Sequence, residues 1–225
     1  MSLILNIDTA LDTASVCLAK DNEALQLFMN ENQKDHAAWL HTTIADILKK
    51  SGYLLNELGA VAVSIGPGSY TGLRVGLSSA KGFCYALNIP LIAISTLKII
   101  AFAVKDEAGD NDLICPMIDA RRMEVFTALY DKTLLEKNLP QAMIPDENSF
   151  SAMLSENKIL FCGNGSMKLQ KIITSANAIF SDTGCNASHL AQLSYKCFQN
   201  REFANLAYTE PVYVKEFYSP ALKPG

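Results

Sequence analysis

The same order of secondary-structure elements occurs twice along this chain. Residues 3–7, 14–20 and 23–29 are apolar or alternating segments separated by short polar turns, the pattern of three successive strands. Ala37, Leu40, Ile44, Ile47 and Leu48 then recur at helical spacing, behind a candidate cap at Asp35, until Gly52 stops the run. A strand at 61–65, a helix at 71–87, a strand at 91–94 and a helix at 97–105 come next, so the first half reads βββαβαβα. After the charged, turn-rich stretch 106–112 the pattern restarts. Strands are expected at 113–118, 124–130 and 133–138, then a helix at 150–154, a strand at 159–162, a helix at 166–174, a strand at 178–180 and a helix at 188–198. Each half also ends its first strand on an aspartate, Ile7-Asp8 and Ile118-Asp119. The repetition predicts a duplicated α/β fold, with a first lobe over residues 1–107, a second over 108–210, and a tail over 211–225 that either adds a strand or leads back to the first lobe and frays from 220.

Composition removes several function classes. The 225 residues are 49% apolar and 19% charged, which excludes disorder over most of the length and leaves enough to bury a sizeable core. Lys and Arg total 19 against 23 Asp and Glu, a net charge of −4. That balance lacks the basic excess that phosphate-backbone binding needs, so contact with nucleic acid would require a basic partner. No apolar stretch approaches the roughly 18 residues of a membrane span, and the apolar start is too short for a leader, so a cytoplasmic protein without membrane contact is expected. Six cysteines are scattered with no Cys-x-x-Cys pair, as reduced core thiols are, rather than zinc or redox ligands.

The segment Ser64-Ile65-Gly66-Pro67-Gly68-Ser69-Tyr70-Thr71-Gly72 is a glycine-rich turn between a strand and a helix, where a chain can cradle phosphate. It is not a Walker loop, because no Gly-Lys-Ser/Thr comes after it, and its glycines miss the Gly-x-Gly-x-x-Gly spacing by one. Two readings stay open. One is a vestigial nucleotide or phosphate loop of Asp8, Thr9, Gly66, Gly68, Ser69 and Thr71. The other is a tight turn at Gly66 and Gly68 with close helix packing at Gly72 and Gly76.

The helix after this turn carries a core stripe of Leu73, Leu77, Ala80, Cys84 and Leu87. Roughly 80–100° around it runs a second stripe, Gly72, Gly76, Ser79, Phe83 and Ala86, small enough to accept another helix closely. In the preceding helix Trp39 projects about 130° from the Leu40, Ile44, Ile47 face, outside that core. Together these features predict an interface of Trp39, Leu40, Thr43, Gly72, Val75, Gly76, Ser79 and Phe83. Arg121 and Arg122 come after Asp119 in a turn, where they can pair with that acid or reach a phosphate or a partner's carboxylate.

With these residues in hand, the chain resembles the TsaB (YeaZ) family, the accessory subunit in bacterial biosynthesis of N6-threonylcarbamoyladenosine in tRNA. The match rests on Ile7-Asp8-Thr9-Ala10, on the long run from Ser64 to Leu77 continuing through Ala80-Lys81-Gly82, on Asn88-Ile89-Pro90-Leu91, and on Ile118-Asp119-Ala120-Arg121-Arg122 with Glu124. A weaker match is Pro211-Val212-Tyr213-Val214-Lys215, where the family usually carries Leu-Arg after the tyrosine. The resemblance implies an actin-like, sugar-kinase-like ATPase (ribonuclease H-like) fold.

The catalytic paralogue TsaD is similar in the first half but carries a His-x-x-x-His metal pair, and the matching positions here are Thr96 and Ile100, neither of which replaces imidazole. The three histidines, His36, His41 and His189, are too dispersed to rebuild that site and read as surface or cap residues. The resemblance therefore implies a non-catalytic subunit without metal or cofactor of its own. It would support TsaD in threonylcarbamoyl transfer, with metal, ATP and threonylcarbamoyl-AMP belonging to partner subunits. TsaE and tRNA would be met through the complex, and a homodimer would form when the chain is alone. The competing reading is an autonomous ATPase or kinase that uses Asp8 and Asp119 as phosphate and magnesium carboxylates. It lacks a glycine or lysine in residues 9–13 that could approach phosphate.

Overall fold

The computed structural model describes residues 2–32 and 36–215. The cap expected at Asp35, the side chain of His36 and the tail beyond residue 215 lie outside the described residues.

The first half builds β1 (Leu3–Asp8), β2 (Ala14–Lys20), β3 (Glu23–Asn30), α1 (His36–Ser51), β4 (Ala60–Ser64), α2 (Tyr70–Leu87), β5 (Leu91–Ile94) and α3 (Thr96–Val104). The second repeats the order with β6 (Leu113–Asp119), β7 (Val125–Asp131), β8 (Glu136–Met143), α4 (Ser151–Glu156), β9 (Ile159–Cys162), α5 (Ser166–Gln170), β10 (Ala178–Phe180) and α6 (Ala187–Gln199). Each half forms its own five-stranded sheet, ordered β3-β2-β1-β4-β5 and β10-β9-β6-β7-β8. In both, the first three strands form an antiparallel meander, and the remaining two add in parallel beside the first, because a helix separates them in sequence. This is the duplicated α/β fold that the element order predicts.

Two boundaries differ from expectation for local reasons. The strand expected at 133–138 is β8, Glu136–Met143, displaced because Asp131 organises residues 132–135 as a turn. Its Oδ1 accepts the backbone N–H of Thr133 at 2.9 Å and of Leu135 at 3.1 Å, with Leu134 at φ +65°. Pro140 is tolerated there because β8 is the sheet edge. The helix expected at 166–174 is only Ser166–Gln170.

The last helix of each half packs on the other half's sheet. Leu97, Ile100, Ala101 and Val104 of α3 lie in one core with Ile114, Ile118, Tyr130 and Leu160 of the second sheet. Leu190 and Leu193 of α6 join Ile4, Ala60, Ala62 and Ile92 of the first, and Ile99 and Phe102 on the other side of α3 meet them there. A polar pin fixes α6. The Ser194 hydroxyl donates to Asn6 Oδ1 at 2.6 Å, while the Asn6 amide donates to the carbonyls of Ile4 and Cys17. An asparagine in an otherwise apolar, wholly buried strand is thereby satisfied.

Candidate functional site

The two sheets present the ends of β1 and β6 to one cleft of about 490 Å³. It is lined by Ala10–Asp12, Gly68–Thr71, Ile118–Arg121, Phe126 and Asn164. Carboxyl ends of parallel strands are where a fold of this kind gathers functional groups.

Asp8 ends β1 but does not line the cleft, being only 1% exposed. Its Oδ1 accepts the Ser64 hydroxyl at 2.6 Å and the Ala10 N–H at 3.2 Å. Burial pushes its carboxyl above the ordinary 3.8, against the pull of those two bonds and of His189. Thr9 is buried too, and its hydroxyl donates to the Gly72 carbonyl at 2.7 Å. Asp119 is the opposite case, with a side chain 41% exposed that is held by Lys168 Nζ at 2.6 Å and by the Arg121 N–H at 2.6 Å. Partial burial raises its carboxyl, but Lys168 and the Arg121 amide outweigh that and leave it below 3.8.

The glycine turn is filled by protein. A Cβ at Gly68 would strike the Ala10 carbonyl, which already accepts the Ser69 N–H at 2.7 Å. One at Gly66, whose φ of +114° itself favours glycine, would lie 2.7 Å from the Val212 carbonyl. Gly66 and Thr96 brace each other, the Gly66 N–H donating to Thr96 Oγ1 and the Thr96 N–H to the Gly66 carbonyl. Ser69 caps α2 by accepting the Gly72 N–H at 3.3 Å, and Thr71 is exposed. These residues therefore do not fit a nucleotide phosphate with its magnesium. The turn glycines abut backbone, and both carboxylates are engaged by the chain itself.

Thr96 is thus a loop brace, while Ile100 is 2% exposed in the second core. Among the described residues no three His, Cys, Asp or Glu side chains gather to hold a metal. His189 Nδ1 accepts the Asn186 N–H at the start of α6, and burial holds its imidazole below the ordinary 6.5.

Arg121 and Arg122 are exposed at the cleft mouth. With Met123 they form three consecutive left-handed residues, φ +68°, +45° and +64°, a conformation that non-glycine residues adopt at a cost.

The expected helical interface is partly corrected. Leu40 is fully buried and Thr43 is 6% exposed, both on the core side of α1. Gly72 and Gly76 are buried as well, because they seat α2 on the end of β1. A Cβ at Gly72 would strike the Thr9 carbonyl and one at Gly76 the Thr9 hydroxyl. These four residues are not surface. Trp39 lies outside the buried core as expected but is half-covered against it, as are Val75 and Phe83. Ser79 is hydrogen-bonded to His41 Nε2 at 3.2 Å, and His41 also meets the Phe83 ring. The outward stripe of α2 is Ser78, Gly82 and Ala86 with Tyr85, which is 83% exposed; a Cβ at Gly82 would have nothing within 4 Å. The sequence favours the neighbouring stripe because a helical wheel cannot tell which of two small faces meets the chain's own strand end. Lys168 carries no local signal of its role, standing 49 residues from the acid it holds.

A fold of two such sheets with exchanged last helices is an actin-like, sugar-kinase-like fold. The solved activator of the 2-hydroxyisocaproyl-CoA dehydratase from Clostridium difficile shares it at a TM-score of 0.51 and 9% identity, over 90% of this chain and 98% of that one. A family model described as TsaD: tRNA N6-adenosine threonylcarbamoyltransferase matches residues 30–222. The chain belongs to this family, in its TsaB (YeaZ) branch. The tRNA threonylcarbamoyladenosine biosynthesis protein TsaB of Bacillus subtilis (strain 168) is 29% identical over 205 residues, 88% of this chain and 87% of the relative. The solved structure of YeaZ from Pseudomonas aeruginosa superposes at a TM-score of 0.81 with 25% identity, over 95% of this chain and all of that one. Among the described residues no helix is long and apolar enough to cross a membrane.

Proposed function

We propose that this chain is a non-catalytic subunit of tRNA N6-threonylcarbamoyladenosine synthesis that binds the TsaD-type transferase through the outer face of α1 and α2. The observation that carries the reading is the stripe Ser78, Gly82 and Ala86 beside exposed Tyr85. On this face a second helix can approach to about 8 Å with an aromatic anchor at its edge. Trp39, Val75 and Phe83 are half-covered against the first core, and Ser79 is bonded to His41 of α1. On this reading the chain needs no metal or nucleotide of its own, TsaE and tRNA meet it through the complex, and a homodimer covers the same stripe when the transferase is absent. The ATPase or kinase alternative loses support from the cleft, which buried Asp8 does not line and where Asp119 is held by Lys168.

Gly82→Trp and Tyr85→Ala, each checked for folding by circular dichroism, test this face by titration against purified TsaD. Each is expected to remain folded and to bind at least about tenfold more weakly. Folded variants that bind TsaD at wild-type strength would overturn it.

A further inference from the structure

The tail has a course that the proposed function does not use. After α6 it pairs with the edge of the first sheet, the Ala204 N–H donating to the Leu91 carbonyl at 2.8 Å. Lys81 of α2 then holds the carbonyls of Ala207 and Thr209, both at 3.2 Å. The Val212 N–H donates to the Ile65 carbonyl at 2.7 Å, and the Val212 carbonyl occupies the space where a side chain at Gly66 would stand. The Tyr213 hydroxyl accepts from Arg74 Nε at 3.0 Å, its ring lies 5.3 Å from that of Tyr70, and the Arg74 guanidinium sits 4.1 Å over the same Tyr70 ring. All of these anchors belong to the first sheet, to the glycine turn after it and to α2.

The next contact crosses to the other half. Lys215 Nζ donates to both carboxylate oxygens of Glu124, at 3.0 and 2.9 Å. Glu124 closes the left-handed Arg121–Met123 turn, its N–H donating to the Arg121 carbonyl at 2.9 Å. Tail and turn face each other across a groove of about 410 Å³, with Pro67, Gly68, Tyr70 and Val212–Lys215 on one side and Ala120–Arg122, Glu124 and Phe126 on the other. That groove shares Gly68, Tyr70, Ala120, Arg121 and Phe126 with the central cleft, so it is the cleft's mouth.

We propose that residues 211–215 are an inter-lobe latch: the tail is anchored on the first lobe through Val212 and Tyr213 and clasps the second through Lys215 and Glu124, holding the cleft mouth closed on that side. The division of labour comes from the contacts. Val212 and Tyr213 combine a backbone bond, a tilted ring contact with Tyr70 and a hydrogen bond from Arg74, so they fix the tail in place. The Lys215–Glu124 pair is half in water, at 55% and 18% side-chain exposure, and so is weak enough to be released and remade. This device needs no partner, so it stands or falls separately from the helical face.

The test is a charge swap on the full chain, read by hydrogen exchange of the segments 119–126 and 211–215. Lys215→Glu and Glu124→Lys are each expected to raise exchange in both segments about two- to fivefold, the range of an exposed ion pair. The double variant restores protection, and Lys215→Arg keeps it. Raising salt loosens the segment 211–215 in the wild type and not in Lys215→Gln; the turn is no clean readout here, because Asp119 keeps its own ion pair with Lys168 in both. Tyr213→Ala releases both ends together. Single variants that exchange as wild type does, or a double variant no better protected than the singles, would overturn the latch. So would a Tyr213→Ala effect confined to the first lobe.

Discussion

Asp8 and Asp119 occupy the same place in the two halves, the last residue of the first strand, and have opposite fates. The difference comes from the helix that leaves the parallel strand beside each of them, α2 after β4 and α5 after β9. In the first half an 18-residue helix presses Gly72 and Gly76 onto Thr9, sealing the strand end so that Asp8 keeps only protein partners. In the second half the equivalent turn, Gly163-Asn164-Gly165, approaches β6 as closely, but its helix runs for only five residues. The strand end stays open, and a lysine from that short helix neutralises Asp119. One topology thus yields a sealed lobe with long outer helices and an open lobe that carries the charged turn. The proposed partner face and the cleft chemistry part along that line.

The largest expected effect breaks the seal. Gly76→Ala puts a methyl group into the Thr9 hydroxyl and should cost about 3 kcal/mol in urea denaturation, with raised exchange at the end of β1. Gly82→Ala, on the outward stripe, should instead be neutral or slightly stabilising, because no atom opposes it. Comparable losses at both positions would show that the seal is not what distinguishes the lobes.

Next in size is the pH behaviour of the buried acid. Because the Asp8 carboxyl is raised in the folded state, folding retains its proton where the unfolded chain loses it. Stability from this group is therefore full below the ordinary 3.8 and declines as pH rises from there toward the folded value. Asp8→Asn removes that decline. It should cost about 1 kcal/mol near pH 3, through poorer hydrogen bonding, and become neutral or stabilising by pH 7. A penalty independent of pH would mean that folding leaves the Asp8 carboxyl unshifted, and one that grows with pH that the fold holds it charged.

Asp119 should show the reverse sign and the smallest effect. Its carboxyl is lowered by Lys168 and the Arg121 amide, so its contribution is present above 3.8 and is lost as pH falls through the folded value. Lys168→Met should cost about 1 kcal/mol at pH 7, as expected of a partly exposed pair, and less once the acid is protonated, when only the bond from Lys168 Nζ to the Glu124 carbonyl at 2.9 Å is lost. A larger loss at neutral pH would place Asp119 in a site more like that of Asp8.

Much of this was legible in the residues themselves. Strand and helix order, the restart after residue 112, the two strand-end aspartates and the core stripe Leu73, Leu77, Ala80, Cys84 are set by local periodicity, because a chain must turn its apolar side inward with the period of its own backbone. The capping of α2 by Ser69 and the turn at Asp131 are also local hydrogen-bonding chemistry, yet periodicity alone passes over both and reads a strand at 133–138 across residues that the Asp131 turn holds. Three outcomes were decided only by tertiary structure. Gly72 and Gly76 faced inward, α3 and α6 exchanged sheets, and the tail reached from Ile65 to Glu124. Each depends on which surfaces meet across 60 to 190 residues of chain, as in Thr9 with Gly72, Asn6 with Ser194 and Lys215 with Glu124. Periodicity says that a face is apolar or small. Only the packed fold determines what lies against it.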